Sequence, residues 1–348
     1  MERHSLTTLC YIEKEDQYLM LHRIKKKNDI NQDKWLGVGG HLEEGESPED
    51  CLLREVKEET GLTLLSYRLR GFITFVSDQY PDEYMFLYTA DSYEGSLMDC
   101  QEGVLEWVPV EKIDSLPIWE GDRIFFELLK DEIPFFSLKL QYCKDSLEAA
   151  VLNGSPLELL EERDLNGCTT GNVRARFMMH RDGMLHGTSH VWVVRPNEKS
   201  GFDLLLQKRS AGKDAYPGCY DISSAGHIPA GDDFLISAVR ELSEELGINA
   251  APEELTFVGL HEEQEDAVFY GRMFRNHEIS HVYVYEKMVD ERQLVLQKEE
   301  VESVLWMDYE ECLNRMKDGT LINCLNEKEL HMLARWYQKK GLTGQQHL

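Results

Sequence analysis

The stretch GHLEEGESPEDCLLREVKEETGL at residues 40–62 returns in outline as GHIPAGDDFLISAVRELSEELGI at residues 226–248, and this pair decides the architecture. The distance from Gly40 to Gly226 is several times the roughly 20–50-residue period of stacked repeats, so whole domains are duplicated. A chain of 348 residues is about twice the ordinary domain size and agrees with two.

In the first copy, Ser47 followed by Pro48 is a helix start: a hydroxyl N-cap, proline at the first helical position, then Glu49 and Asp50 at the positive end. Gly61 is a C-terminal stop. Within the helix Glu55, Glu58 and Glu59 stand three and four apart and share a side, while Leu52, Leu53 and Val56 are available to anchor it to a sheet. On an acidic protein the plain reading of such a side is a solvated surface. In a partly buried cleft at an effective dielectric near 20, each carboxylate pair at about 4 Å would instead cost roughly 4 kcal/mol. A bound cation relieves that cost, and hard oxygen ligands select magnesium or manganese.

Composition narrows the partners. A net charge of −27 repels a phosphate backbone, so polymeric nucleic acid is not expected, whereas a small anion can bind beside a metal ion. The start, MERHSLTTL, is not a secretory signal, and no apolar run approaches a membrane span, so the expected location is cytoplasmic. The eight cysteines are scattered without a C-x-x-C pair and read as reduced thiols.

Around the first motif, LTTLCYI, QYLMLHRI, YRLRGFITFVS, YMFLYTADSY, VLEWVPV and FFSLKLQYC have strand patterning, and WEGDRIFFELLKD that of a helix. In the second half SHVWVVRP and FDLLLQKR precede the motif, LTFVGLHEE and SHVYVYEKMV follow it, and a helix is expected around ELHMLARWYQKK. A mixed sheet flanked by helices is an α/β/α sandwich. SLEAAVLNGSPLE, with its Gly154-Ser155-Pro156 breaker, is the expected join, which gives domains of 1–153 and 157–348.

Gly40, Glu46, Arg54, Glu55, Val56, Glu58, Glu59, Gly61 and Leu62 have the spacing of the Nudix box, and the chain resembles two Nudix hydrolases in tandem. The resemblance implies that the Gly40 carbonyl and Glu55, Glu58 and Glu59 hold cations bridging a diphosphate, with Arg54 orienting a glutamate. It also makes Glu102 a further metal ligand or base, although a loop glutamate is as readily just exposed. The second box has Gly226, Arg240, Glu241, Glu244 and Glu245 in the same roles, and departs only at Asp232, where the family usually has glutamate.

Beyond its box the first half is similar to MutT-type enzymes, the 8-oxo-dGTP diphosphatases, through WLGVGGHLEEGE, EYMFLYTAD and IWEGDRIFF. That likeness would stack Trp119 on a purine and set Asp122 against its edge; the other reading of Trp119 is core. Leu36 replaces an asparagine that contacts the base in the animal enzymes. Arg23 and the run Lys25, Lys26, Lys27 are candidate triphosphate contacts, the run being equally well a solvated loop. The second half resembles the group related to isopentenyl-diphosphate isomerase through DLNGCTTG, HRDGMLHGTSHVWVV and QKRSAGKDAYPGCYDISSAGH. His180, His186, His227 and Glu278 match metal ligands there, with Asn276 in place of another acid, and Arg209 and Lys213 match a diphosphate-binding pair. Such a histidine cluster can also be structural. Ala225 falls where the isomerase has a proton-transferring cysteine, which implies hydrolysis or binding and not isomerisation.

The expected function is therefore a bifunctional diphosphatase: a purine nucleoside triphosphate at the first site, another diphosphate-containing small molecule at the second. The alternative couples one catalytic domain to a module that only senses a diphosphate.

Overall fold

The computed structural model describes residues 4–25, 29–213, 215–269 and 271–344. It falls into two compact units, Met1–Leu159 and Leu160–Leu348.

In the first unit the alternating SLTTLCYIEK forms β1 (Ser5–Lys14), and Glu15 and Asp16, at φ 48° and 59°, turn the chain back into β2 (Gln17–His22). There follow β3 (Trp35–Leu36), α1 (Pro48–Thr60), β4 (Thr63–Ser77), β5 (Glu83–Glu94), β6 (Val104–Pro109), α2 (Glu120–Lys130), β7 (Phe136–Cys143), β8 (Ser146–Leu152) and β9 (Ser155–Leu157). The sheet order is β3-β2-β1-β5-β4-β7-β8-β9, with β6 also on β2. β1 runs parallel to β5, and β2 antiparallel to β6. Successive side chains of a strand face opposite ways. Cys10 and Ile12 accordingly join Leu52 and Val56 of α1 in one core, while Tyr11 packs edge-on against Phe126 of α2, ring centres 4.8 Å apart. One helix thus covers each face. Ser47 caps α1 by accepting the Asp50 N–H at 3.1 Å, Asp50 answers the Ser47 N–H at 3.0 Å, and Gly61 ends the helix at φ 78°.

The second unit comprises β10 (Leu159–Arg163), β11 (Thr169–Ala175), α3 (Arg176–Asp182), β12 (His186–Pro196), β13 (Phe202–Arg209), β14 (Tyr220–Asp221), β15 (Ser224–His227), α4 (Phe234–Leu246), β16 (Leu255–Phe269), β17 (Arg272–Tyr285), β18 (Val301–Asp308), α5 (Tyr309–Lys317) and α6 (Glu327–Gly344). Its pairing repeats the first: β12 is parallel to β17, β13 antiparallel to β18. Val191 and Val193 meet Ala238 and Leu242 of α4, whereas Trp192 and Val194 meet Leu313 of α5 and Leu330 of α6. Asp233 caps α4 through the Leu235 and Ile236 N–H groups, and Gly247 closes it at φ 71°.

Two expectations are corrected. Leu53, assigned to the anchoring side of α1, is 38% exposed, because the sheet takes only the stripe of Leu52 and Val56. The Gly154-Ser155-Pro156 breaker is not the join. Asn153 and Gly154, at φ 50° and 84°, are the turn of a hairpin that pairs Leu152 with Ser155, and the chain passes to the second unit at Leu159/Leu160. The same residue types serve domain joins and tight turns, so local chemistry alone does not separate them.

Candidate active sites

In the first unit the box helix is drawn against the loop before it. The Gly39 N–H donates to Glu59 Oε2 at 2.9 Å. A Cβ on Gly40 would stand 2.5 Å from the Glu55 carboxyl, so the motif needs glycine there for close approach. The Gly40 carbonyl, expected on the metal, already accepts the Thr8 N–H at 2.9 Å as the loop pairs with β1. Glu59 is 9% exposed, and burial, with the charges of Glu102 and Glu55 added, raises its pKa to about 7 against the opposing Gly39 N–H. Arg54 holds Glu46 with both edge nitrogens, at 2.7 and 2.9 Å, and reaches Glu55 at 2.6 Å. These bonds hold Glu46 down at about 2. Glu58 sits at the solvent edge, its side chain 63% exposed and 3.5 Å from Arg54. The three box glutamates therefore do not form one uniform side: Glu59 is sunk, Glu55 half-sunk and Glu58 outside.

Glu102 lies close enough to Glu59 to raise its pKa, and its carboxylate meets Arg23 Nη1 at 2.5 Å. Arg23 also donates to Asp29 at 2.6 Å, so the expected triphosphate contact is brought to the cluster but held by two carboxylates. Lys25 is tied to the Cys100 carbonyl at 2.7 Å; Lys26 and Lys27 lie outside the described residues. Glu55, Glu59 and Glu102 concentrate more negative charge than their own arginines offset. An all-oxygen donor set with charge to spare fits magnesium or manganese.

Trp119 and Asp122, at the start of α2, are 6% and 7% exposed. The indole donates to Asn31 at 2.8 Å and meets Phe75 and Tyr142 edge-on, while the Lys34 ammonium stands 4.2 Å from its ring centre. Burial raises Asp122 to about 7, against the charges of Lys34 and Arg123 and a main-chain hydrogen bond from Trp119. Trp119 is therefore core-packed at its edge, with the flexible Lys34 side chain over a face. Asn31 and Lys34 carried no signal in the sequence, being ordinary loop polar residues.

The second box repeats the grip. The Ala225 N–H donates to Glu245 at 3.2 Å, and a Cβ on Gly226 would collide with the Glu241 carboxyl. Glu245 is 5% exposed and raised to about 7 by burial, the Ser224 bond opposing. Arg240 reaches Glu241 at 3.0 Å and Glu244 at 3.5 Å but makes no ion pair with Asp232 among the described residues. Gly226 is paired with Ser189 of β12, as Gly40 is with β1. Arg209 donates to Asp221 at 2.8 Å and to the Ala215 carbonyl; Lys213, near enough to Arg209 for burial and that charge to lower its pKa, pairs with Glu300.

The ligand atoms of His180, His186 and His227 lie within 4.8 Å of one another. Glu278 Oε1 is 3.7 Å from His186 Nε2 and 3.9 Å from His227 Nε2. His186 Nδ1 is engaged by the Met184 carbonyl at 2.9 Å, which aims Nε2 inward, where it and both ring nitrogens of His180 are buried without hydrogen-bond partners among the described residues. Burial and the neighbouring rings lower His180 to about 3, so it is neutral. Partnerless neutral imidazoles beside a carboxylate fit a divalent transition metal. The Asn276 carboxamide oxygen is also buried without a partner among the described residues.

A model of the NUDIX domain matches residues 3–129 and again 184–324. The chain is 42% identical over 153 residues to Nudix hydrolase 3 of Arabidopsis thaliana, covering 43% of this chain but only 19% of that protein. It is 33% identical over 107 residues to the oxidized purine nucleoside triphosphate hydrolase of Danio rerio, covering 30% of this chain and 67% of the other. A solved MutT protein from Bacillus halodurans overlaps 44% of this chain and 99% of its own, with 26% identity and a TM-score of 0.39. No helix among the described residues is long and apolar enough to cross a membrane. With the family's domain matched once in each half, and the box geometry built twice, this chain belongs to the Nudix hydrolases.

Proposed function

We propose that both boxes hydrolyse a diphosphate linkage with magnesium or manganese bound: the first converts a purine nucleoside triphosphate, oxidised purines included, to monophosphate and pyrophosphate, and the second cleaves another diphosphate-containing small molecule. The observation that carries this reading is the repeated grip: Glu59 and Glu245, each buried, each on a main-chain N–H of the segment ahead of its helix and each raised to about 7 beside further carboxylates. When bound, the cation supplies charge neutralisation and an acidified water. Glu55 and Glu59, or Glu241 and Glu245, would hold it, with Glu102 beside the first pair and Glu58 and Glu244 reaching in from the edge. Arg54 fixes Glu55, and Arg23 is placed to exchange a carboxylate for a phosphate.

The purine follows from Trp119 and Asp122, and from the likeness to an oxidized purine nucleoside triphosphate hydrolase. At the second box Arg209 and Lys213 would grip the diphosphate, and the His180, His186, His227 and Glu278 cluster would hold a second metal. One observation favours the alternative, a second unit that binds without turnover: Arg240 lacks the two-pronged hold that Arg54 has. The deciding experiment incubates the full chain, and its Glu59→Gln and Glu245→Gln variants, with nucleoside triphosphates and other diphosphates in magnesium or chelator, with products resolved by phosphorus NMR. If Glu245→Gln changes no product, the sensing reading stands; if neither variant does, the assignment of both sites is wrong.

A further inference from the structure

One short loop of the first unit reaches Trp119 and Asp122. Trp119 Nε1 donates to Asn31 at 2.8 Å, and the loop that carries Asn31 is stitched by its own main chain. The Asn31 N–H reaches the Asp29 carboxylate at 3.1 Å, the Lys34 N–H reaches the Asn31 carbonyl at 3.0 Å, and the Lys34 carbonyl accepts the Arg23 N–H at 3.0 Å. Phe75 and Tyr142 hold the indole elsewhere, with ring centres 5.6 and 5.1 Å away. The ring and the main chain of Lys34 are both fixed, so only the lysine stem between them is free to move.

The Lys34 ammonium stands 4.2 Å from the indole centre, yet it makes no hydrogen bond or ion pair among the described residues. A cation over a ring at a half-buried position favours that placement only roughly two- to fivefold, so a flat ligand with a better contact can displace it. Asp122, in the first turn of α2, is buried, and of the two cations whose charge acts on it Lys34 has the larger effect. A donor and an acceptor thus flank one aromatic ring. A purine with a carbonyl in its six-membered ring, as in guanine or hypoxanthine, has a C=O and an N–H on adjacent atoms and matches that pair. Adenine has the reverse order: it would set an amino group against the ammonium and a bare ring nitrogen against the carboxylate. With the triphosphate held at the box, the base cannot turn over to restore the match, so the pair both attracts one kind of purine and repels the other.

Resting on the reading of the first box as a purine triphosphate hydrolase, we propose that Lys34 sets its base preference, leaving the indole face as the base stacks there and donating to the ring carbonyl of the purine while Asp122 accepts the neighbouring N–H. Asn31 is a positioning residue in this scheme, because it fixes the plane of the indole on which the base lies.

The test uses the full chain carrying Glu245→Gln, which confines turnover to the first box, with magnesium and either inosine or adenosine triphosphate, two substrates that differ only at this edge. The parent should favour inosine triphosphate by about tenfold or more in kcat/KM, the range that a hydrogen bond to a charged group supplies. Lys34→Met should cut that ratio about tenfold, chiefly through KM, whereas Lys34→Arg, which keeps a cationic donor, should hold it within about threefold. A lysine that only supports the fold, or only obstructs the slot, changes both substrates alike. A ratio unmoved in Lys34→Met therefore overturns the proposal, and so does a parent without preference, which needs no variant to fold. If the parent cleaves neither triphosphate, the hydrolase reading fails separately, and the β,γ-methylene analogues of both, titrated with magnesium and followed by the Trp119 indole N–H signal in NMR, decide this one. Tighter binding of the inosine analogue that is lost in Lys34→Met keeps Lys34 as the determinant of the base; equal binding, or an unmoved indole signal, overturns it.

Discussion

Glu46 takes both edge nitrogens of Arg54, at 2.7 and 2.9 Å, while the residue in its place in the second box, Asp232, leaves Arg240 to single contacts with Glu241 and Glu244. One methylene decides whether the fork closes. Residues behind metal ligands typically alter activity or affinity about 10–100-fold when changed. Glu46→Asp should therefore lower first-site turnover by about tenfold, and Asp232→Glu should raise magnesium affinity at the second, each read by metal titration of product formation. Equal activity before and after both exchanges would show the fork to be idle.

Removing the metal should abolish turnover at both boxes, and Glu59→Gln should lower first-site kcat at least about 100-fold. Its melting temperature should hold or rise, because at pH 8 the variant no longer keeps an ionised carboxylate buried. A collapse in melting temperature would mean that Glu59 is structural.

Gly40→Ala places a methyl group 2.5 Å from the Glu55 carboxyl, a separation that atoms do not sustain. Glu55 must swing away, so magnesium should bind about tenfold or more weakly while circular dichroism stays native. Undisturbed magnesium affinity would refute the cradle.

Asp122, raised to about 7 by burial, is a hydrogen-bond donor below that pH and an acceptor above it. A purine edge that presents N–H groups should bind better as pH rises through 7, and Asp122→Asn should remove the inflection in KM. The raised pKa also means that the proton stabilises the folded first unit: this contribution is complete below the ordinary aspartate value and is lost as pH climbs through about 7. An inflection that survives in Asp122→Asn assigns it to another group.

The His190–Glu329 pair keeps its stabilisation to higher pH. His190 is raised to about 9, so its share is full below about 6.5 and disappears as pH rises through 9; Glu329 is lowered, so its share fails only in acid. Glu329→Gln leaves a buried imidazolium unpaired and should cost about 3–5 kcal/mol at neutral pH, as breaking buried pairs does. The loss should shrink above pH 9, followed by thermal melts across pH.

The boxes were legible because their signals are local: Ser47, Pro48 and Gly61 bound α1 as their caps dictate, and the alternating strands around them stand where patterning puts them. The strand reading of LTFVGLHEE stopped short of the QEDAVF end of β16. That end lacks a half-buried apolar alternation, and pairing with β17 holds it extended. The different depths of Glu55, Glu58 and Glu59 depend on how α1 is rotated against the sheet, which spacing leaves open. The Glu329 hold on His190 joins α6 to β12, and the Asn31 hold on Trp119 joins a loop to the start of α2; nothing local announces either.

The Asn153–Gly154 hairpin bears on anyone who would separate the halves. Severing the chain at that turn would strip β9 from β8 and bare a row of main-chain donors and acceptors on residues as apolar as Leu147, Ala150 and Leu152. Such an edge is an invitation to stick to its own kind. A fragment ending at residue 153 should precipitate where one carried through Leu159 stays dispersed, so insolubility of the shorter piece would speak of a torn sheet and not of a half unable to stand alone.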